Sequence, residues 1–282
     1  MPRKDLPEPM SPALTFALFA IAAIAFAVFY LFFYRGWKRQ RELQRPFPRA
    51  WRKLLKSQVP LYRRLPGQLK RELERRVQLF LSEKDFYGCD GFEVDDRVRL
   101  TIAGHACLLI LARSYSDYDE VRSILVYPGA YYVKQPRQNG MVVDMEHQVR
   151  AGEASSFGQV VLSWDDCEHA VQAPGSDHNV ILHEFAHQLD YLDGSADGAP
   201  PLSGEQARNW QETMSEAYEQ LQQSLQHHHK SWLDPYGATE PAEFFAVLTE
   251  AFFQQPDHLH RKQPRVYESL CGFYRINPMD YQ

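Results

Sequence analysis

The chain has 282 residues, is 44% hydrophobic and 24% charged, and carries a formal net charge of −5. This suffices for one substantial core and a small appendage. Residues 1–60 hold 11 basic and 3 acidic groups, a net +8, so residues 61–282 hold −13, which argues against a nucleic-acid-binding domain. Cys89, Cys107, Cys167 and Cys271 lie far apart with no Cys-x-x-Cys pair, which excludes a disulfide framework and a zinc knuckle and fits reduced thiols.

In chain order, residues 1–12 form a short tail and Ala13 to Tyr34 a run of 22 residues without a charge. As a helix that run is about 33 Å long, enough to cross a bilayer core of about 30 Å. Tyr30, Tyr34 and Trp37 near one end suit the membrane–water interface. Nine Lys/Arg and one acid, Glu42, fall between Arg35 and Lys56, so the positive-inside rule places the following chain in the cytoplasm. A cleaved signal peptide fits poorly: the run is too long and the basic residues follow it. The expectation is a single-pass inner-membrane protein with a basic juxtamembrane linker, residues 35–60, against anionic headgroups.

A compact domain is expected over 61–282. Leu65, Leu69, Leu73, Val77, Phe80 and Leu81 keep helical spacing, and a second helix is expected from Asp95 to about Ala112. Ser123 to Tyr127, continuing toward Tyr131-Tyr-Val, and Gln159 to Trp164 read as strands bounded by Pro128-Gly129 and Gly158. A helix ending near Asp193-Gly194 follows, then a Gly/Pro loop, an amphipathic helix from Glu205 to about Leu225, and a helical section from about Thr239. Helices outnumber strands without regular alternation, so the fold class is α+β: a single mainly helical domain with a small β-sheet, preceded by one transmembrane helix.

The chemistry concentrates in His183-Glu184-Phe185-Ala186-His187, inside an apolar run with no Pro or Gly. Histidines four apart on a helix project from one face, so their ring nitrogens can occupy two corners of a tetrahedral zinc site. Glu184 then lies where a general base would reach the attacking water. The alternative is a pair of core histidines hydrogen-bonded to neighbours. A third ligand is needed, and several carboxylates compete. Asp193 stands ten residues after His183, but Asp190 occupies the place of the glycine turn that such a ligand requires. Glu240, Glu243 and Glu250 lie on the later helical section, and Glu243 and Glu250, seven apart, face roughly one way. Spacing alone does not choose among them. Asp190 is placed either to orient one of the histidines or to make a helix-end contact. The run His227-His228-His229 reads as a solvated helix end, because three consecutive side chains diverge.

His183-Glu-Phe-Ala-His-Gln-Leu-Asp190, together with Asp234-Pro-Tyr-Gly-Ala-Thr-Glu-Pro-Ala-Glu-Phe-Phe-Ala-Val247, resembles the Mlc titration factor A (MtfA) family of zinc-dependent peptidases. Gly158-Gln-Val-Val-Leu-Ser-Trp and Ile124-Leu-Val-Tyr-Pro resemble it too, and the likeness spans roughly residues 61–280. The resemblance implies one Zn²⁺ held by His183, His187 and Glu243, Glu184 as base, and a helping tyrosine at Tyr236. It also implies aminopeptidase-like cleavage of small peptides and binding of the glucose-repressor protein Mlc. The N-terminal apolar run is a departure from the soluble members. The expected function is thus a membrane-anchored zinc peptidase, its substrate aligned by an exposed strand from Gln159 to Ser163. The alternative is a membrane-tethered binding protein that sequesters a transcriptional regulator, its zinc site structural or vestigial.

Overall fold

The computed structural model describes residues 11–281 except 130, 140–141, 151, 156–157, 174 and 177, so most of the expected tail 1–12 lies outside the described residues. The chain divides into two compact units, Met1–Pro46 and Phe47–Gln282.

The first unit is helical from Pro12 to Leu43. Helix α1, Pro12–Phe29, is capped by Ser11, whose hydroxyl accepts the Leu14 N–H, and Pro12 stands at a position where its missing N–H costs nothing. One π turn, Tyr30–Tyr34, joins it to α2, Arg35–Leu43. α1 has a mean hydropathy of 2.3 and no buried residue, and by length and composition it can cross a membrane.

In the second unit the residues expected as the end of a linker are folded. Helix α3, Arg49–Gln58, buries Leu55, and α4, Pro60–Arg64, buries Tyr62. The physical reason is a clamp to α5, Gly67–Glu83. Arg52 forms two hydrogen bonds to the Glu74 carboxylate, at 2.8 and 2.7 Å, and the Tyr62 hydroxyl donates to the same group at 2.6 Å. A short strand β1, Asp85–Gly88, leads to α6, Asp96–Leu109, whose N-terminus is capped by the Asp95 carboxylate.

Strand β2, Ser123–Tyr127, pairs in parallel with β1. Tyr131 does not continue it: β3, Tyr131–Asn139, and β4, Val142–Arg150, form a separate antiparallel ribbon. β5, Gly152–Ser155, and β6, Gln159–Ser163, complete the main sheet in the order β1-β2-β6-β5, with only β5 antiparallel. Gln159 to Ser163 is therefore no exposed strand, because β2 and β5 pair with it on both sides and Val160 and Leu162 are fully buried. Gly158, at φ +74°, makes the turn into β6, and a side chain there would run into the Glu120 carbonyl.

Helix α7, Trp164–Gln172, starts on the Ser163 cap and precedes α8, Val180–Asp190. α8 turns Ile181, Phe185 and Leu189 into the core, where Phe185 packs edge-on against Tyr118 at 5.3 Å. Burial of one such ring contributes about 2–3 kcal/mol. The opposite face of α8 carries His183 and His187. The long helix α9, Gly204–Gln226, is followed by α10, Pro241–Gln254, which packs against α8. α11, Pro256–Lys262, and α12, Pro264–Tyr274, close the unit.

The clamp yields a stability prediction. Burial opposes ionisation of Glu74, but the Arg52 guanidinium and the Tyr62 hydroxyl outweigh it and hold the carboxyl below its ordinary 4.5. Its contribution is thus present above that pH and lost as pH falls through the depressed folded value. Glu74→Ala is expected to cost about 2 kcal/mol at pH 7, under the range for fully buried pairs because Arg52 is partly exposed. Urea unfolding of both proteins at pH 7 and pH 4 checks this: the gap should shrink in acid, and equal midpoints at pH 7 would remove the clamp.

Candidate metal centre

The centre is built by two helices. Asn179 starts α8, its side-chain oxygen accepting the Leu182 N–H at 3.2 Å. One turn later the His183 ring projects from the helix, and His187 follows four residues on, its Nε2 3.3 Å from the His183 Nε2. Pro241 sets the first turn of α10, and Glu243 in that turn places its Oε2 at 2.9 Å from His183 Nε2 and 3.4 Å from His187 Nε2. The three ligand-type atoms lie within 4.8 Å of one another, and among the described residues no other His/Cys/Asp/Glu triad converges in this way.

Glu250 sits two turns beyond Glu243, about 10.5 Å along the helix and on nearly the same face. It is fully buried and reaches the other side of the same imidazole, with 2.7 Å between its Oε1 and His183 Nδ1. Its second oxygen accepts the Asn179 N–H and lies 3.3 Å from His178 Nδ1. Burial works against the Glu250 anion, but His178 and His183 hold its carboxyl below the usual range. An ionised carboxylate only accepts, so His183 donates through Nδ1 and turns its Nε2 lone pair toward Glu243 and His187.

That lone pair tests whether an ion fits. Two imidazole nitrogens and a carboxylate oxygen, all electron-rich and largely buried, face one another. Donor atoms that share one tetrahedral zinc stand about 3.3 Å apart, given bonds of about 2.0–2.1 Å. The separations of 2.9, 3.3 and 3.4 Å bracket that value. Without an ion only a proton can relieve the crowding. Burial disfavours a charged His183, yet Glu243 and Glu250 raise its pKa well above the ordinary value, and the same histidines draw the Glu243 carboxyl far down despite its own desolvation. The residues present fit a divalent cation.

The remaining sequence candidates separate cleanly. Glu184 is buried beside His183 and close enough to add to the field that favours its protonation. Tyr236 lies on the turn Pro235–Ala238, half exposed, with its ring 6.0 Å from that of His183. Asp190 touches neither histidine through a hydrogen bond: its Oδ2 accepts the Gly198 N–H at 2.8 Å and ties the end of α8 to the next loop. Burial pushes the Asp190 carboxyl up to about 6, against the pull of that N–H. Asp193 accepts from Ser195 in a local turn, Glu240 is the exposed residue preceding α10, and His227 to His229 are exposed beyond α9. Sequence reading missed His178 and Asn179, and assigned Glu250 no contact. The signal available was the seven-residue spacing of two acids in an apolar helix.

The chain is similar to known proteins over most of its length. The family model described as glucose-regulated metallo-peptidase M90 matches residues 34–275. An uncharacterised protein of Synechocystis is 40% identical over 246 residues, 86% of this chain and 90% of the relative. Proteins named Mlc titration factor A are 30% identical in Escherichia fergusonii, over 86% of this chain and 91% of the relative, and 31% in Salmonella gallinarum, over 78% and 84%.

Metal retention ranks the carboxylates. Glu243→Ala is expected to lose the ion on dialysis, and Glu250→Gln to weaken affinity about 10–100-fold by freeing the His183 ring. Asp193→Ala should match the parent protein. Chelator competition followed by metal analysis reads this order, and equal retention by all three would overturn the assignment.

Proposed function

Because the chain belongs to the Mlc titration factor A family of metallopeptidases, we propose that it is a membrane-anchored zinc peptidase that hydrolyses peptide bonds in the cytoplasm. The observation that carries this reading is the convergence of His183, His187 and Glu243 beside the buried Glu184. A structural zinc site has no use for a base next to an open position.

His183, His187 and Glu243 would hold one Zn²⁺. The ion supplies a Lewis acid that makes water nucleophilic near neutral pH and polarises the scissile carbonyl. Glu184 accepts the proton of the attacking water and passes it to the leaving amine. The Tyr236 hydroxyl, beside the His183 ring, donates to the carbonyl oxygen as charge develops there. Glu250 keeps the His183 Nε2 lone pair directed inward by accepting the Nδ1 proton. With Gln159–Ser163 enclosed in the sheet, the strand with a place for an extended peptide is β5, Gly152–Ser155, which forms the sheet edge and packs near α8. Helix α1 anchors the chain in the inner membrane, and the basic residues after it keep the catalytic unit on the cytoplasmic side. The family resemblance favours small peptides cut from the amino end.

The name of the relatives, Mlc titration factor A, points to a second reading in which this chain holds a transcriptional regulator at the membrane. One substitution separates the two readings. Glu184→Gln should keep its metal while peptide cleavage falls about 10²–10⁴-fold. Unchanged cleavage would remove the general base, and no cleavage of a peptide library by the parent protein would favour sequestration.

Tyr236→Phe is expected to lower kcat about 10²-fold with metal content intact. Equal turnover would exclude the hydroxyl from the reaction.

A further inference from the structure

The second unit is electrically lopsided. Residues 47–76 carry 10 basic and 2 acidic groups, whereas residues 77–282 carry 14 basic and 31 acidic. The excess positive charge is exposed on three consecutive helices. On α3, Arg49, Lys53 and Lys56 fall within about 60° of one another around the helix axis. They point away from Trp51 and Leu55, which turn toward the core. Arg63 and Arg64 are exposed on α4, and Arg71 and Arg75 on one face of α5. None of these seven cations forms an ion pair among the described residues.

The nearby acids are engaged elsewhere. Glu74 is buried in the clamp with Arg52 and Tyr62, Glu72 pairs with Arg76 at 3.0 Å, and Asp96 accepts from Trp51 on the inward side of α3. The clamp and the hydrogen bond from Lys70 Nζ to the Arg63 carbonyl hold the three helices as one block. Seven like charges on one rigid block repel each other and favour an anionic partner.

We propose that the α3–α5 face docks on the anionic leaflet of the membrane that α1 spans, so that the catalytic unit is held on the surface in a fixed orientation. The proposal rests on α1 being an anchor. Arg49 follows Phe29, the last residue of α1, by 20 positions, so the chain delivers this block close to the headgroups. Both acids of residues 47–76 are paired within the block, so an anionic surface within a Debye length of about 8 Å meets net positive charge there. A nucleic acid is the other polyanion to consider. It has no comparable tether here, and nothing in the chain delivers it to this face.

Full-length protein reconstituted into vesicles tests this. Lysine acylation read by mass spectrometry compares Lys53 and Lys56 with the exposed controls Lys230 and Lys262, in phosphatidylcholine alone and with added phosphatidylglycerol. Lys53 and Lys56 should label several-fold more slowly only when phosphatidylglycerol is present, and high salt should abolish the protection. Replacing Arg49, Arg63 and Arg64 by Glu should restore Lys53 labelling in the anionic vesicles. Equal labelling in both vesicle types would overturn the proposal, as would protection by an added oligonucleotide and none by phosphatidylglycerol. Carbonate extraction of the same samples reports on the anchor. Extractable protein overturns anchor and proposal together, whereas resistant protein with unprotected lysines overturns the docking face alone.

Discussion

Two imidazole nitrogens and a carboxylate oxygen crowd within 3.4 Å of one another in a largely buried space, and only a positive charge can hold them there. Much of the second unit serves that constraint. Phe185 fixes the back of α8 in the core, so the histidine face cannot rotate away. Pro241 and Glu243 set the first turn of α10 against it, and Glu250, two turns on, orients the His183 ring from behind. One helix supplies both the carboxylate that faces the two imidazoles and the group that orients one of them. The centre therefore depends on the packing of α8 against α10 rather than on either helix alone.

How much of this was legible depends on how far apart in the chain the partners lie. His183 and His187 are one turn apart, so their common face follows from helix geometry. Glu184 came with them. Glu243 is 60 residues from His183, and only family resemblance distinguished it from Glu240, Glu250 and Asp193; the structure puts it against both rings. Asp190 is a case with two open alternatives. Spacing leaves it between orienting a histidine and a helix-end contact; the structure shows the second, through Gly198, and Glu250 takes the orienting place. Which carboxylate turns toward an imidazole is settled by how helices pack, and periodicity is silent on that.

The fold shows the same division. Long helices with clear apolar spacing were visible, whereas β1 and β5 are four residues each and carry no alternating pattern. Helix α3 was hidden because its basic face made residues 47–60 look like linker, while Trp51 and Leu55 on its other side belong to the core. The prolines that open α11 and α12 were available as helix-start signals and went unread. The basic block and the metal centre thus lie in one compact unit but answer to different partners. One gathers electron-rich groups in a largely buried space, the other exposes seven cations on three helices.

X-ray absorption at the zinc edge of the purified full-length protein tests the central claim most directly. The account requires four light-atom neighbours at about 2.0–2.1 Å with the multiple-scattering signature of two imidazoles. A sulfur shell at about 2.3 Å, or a spectrum without imidazole scattering, would contradict it.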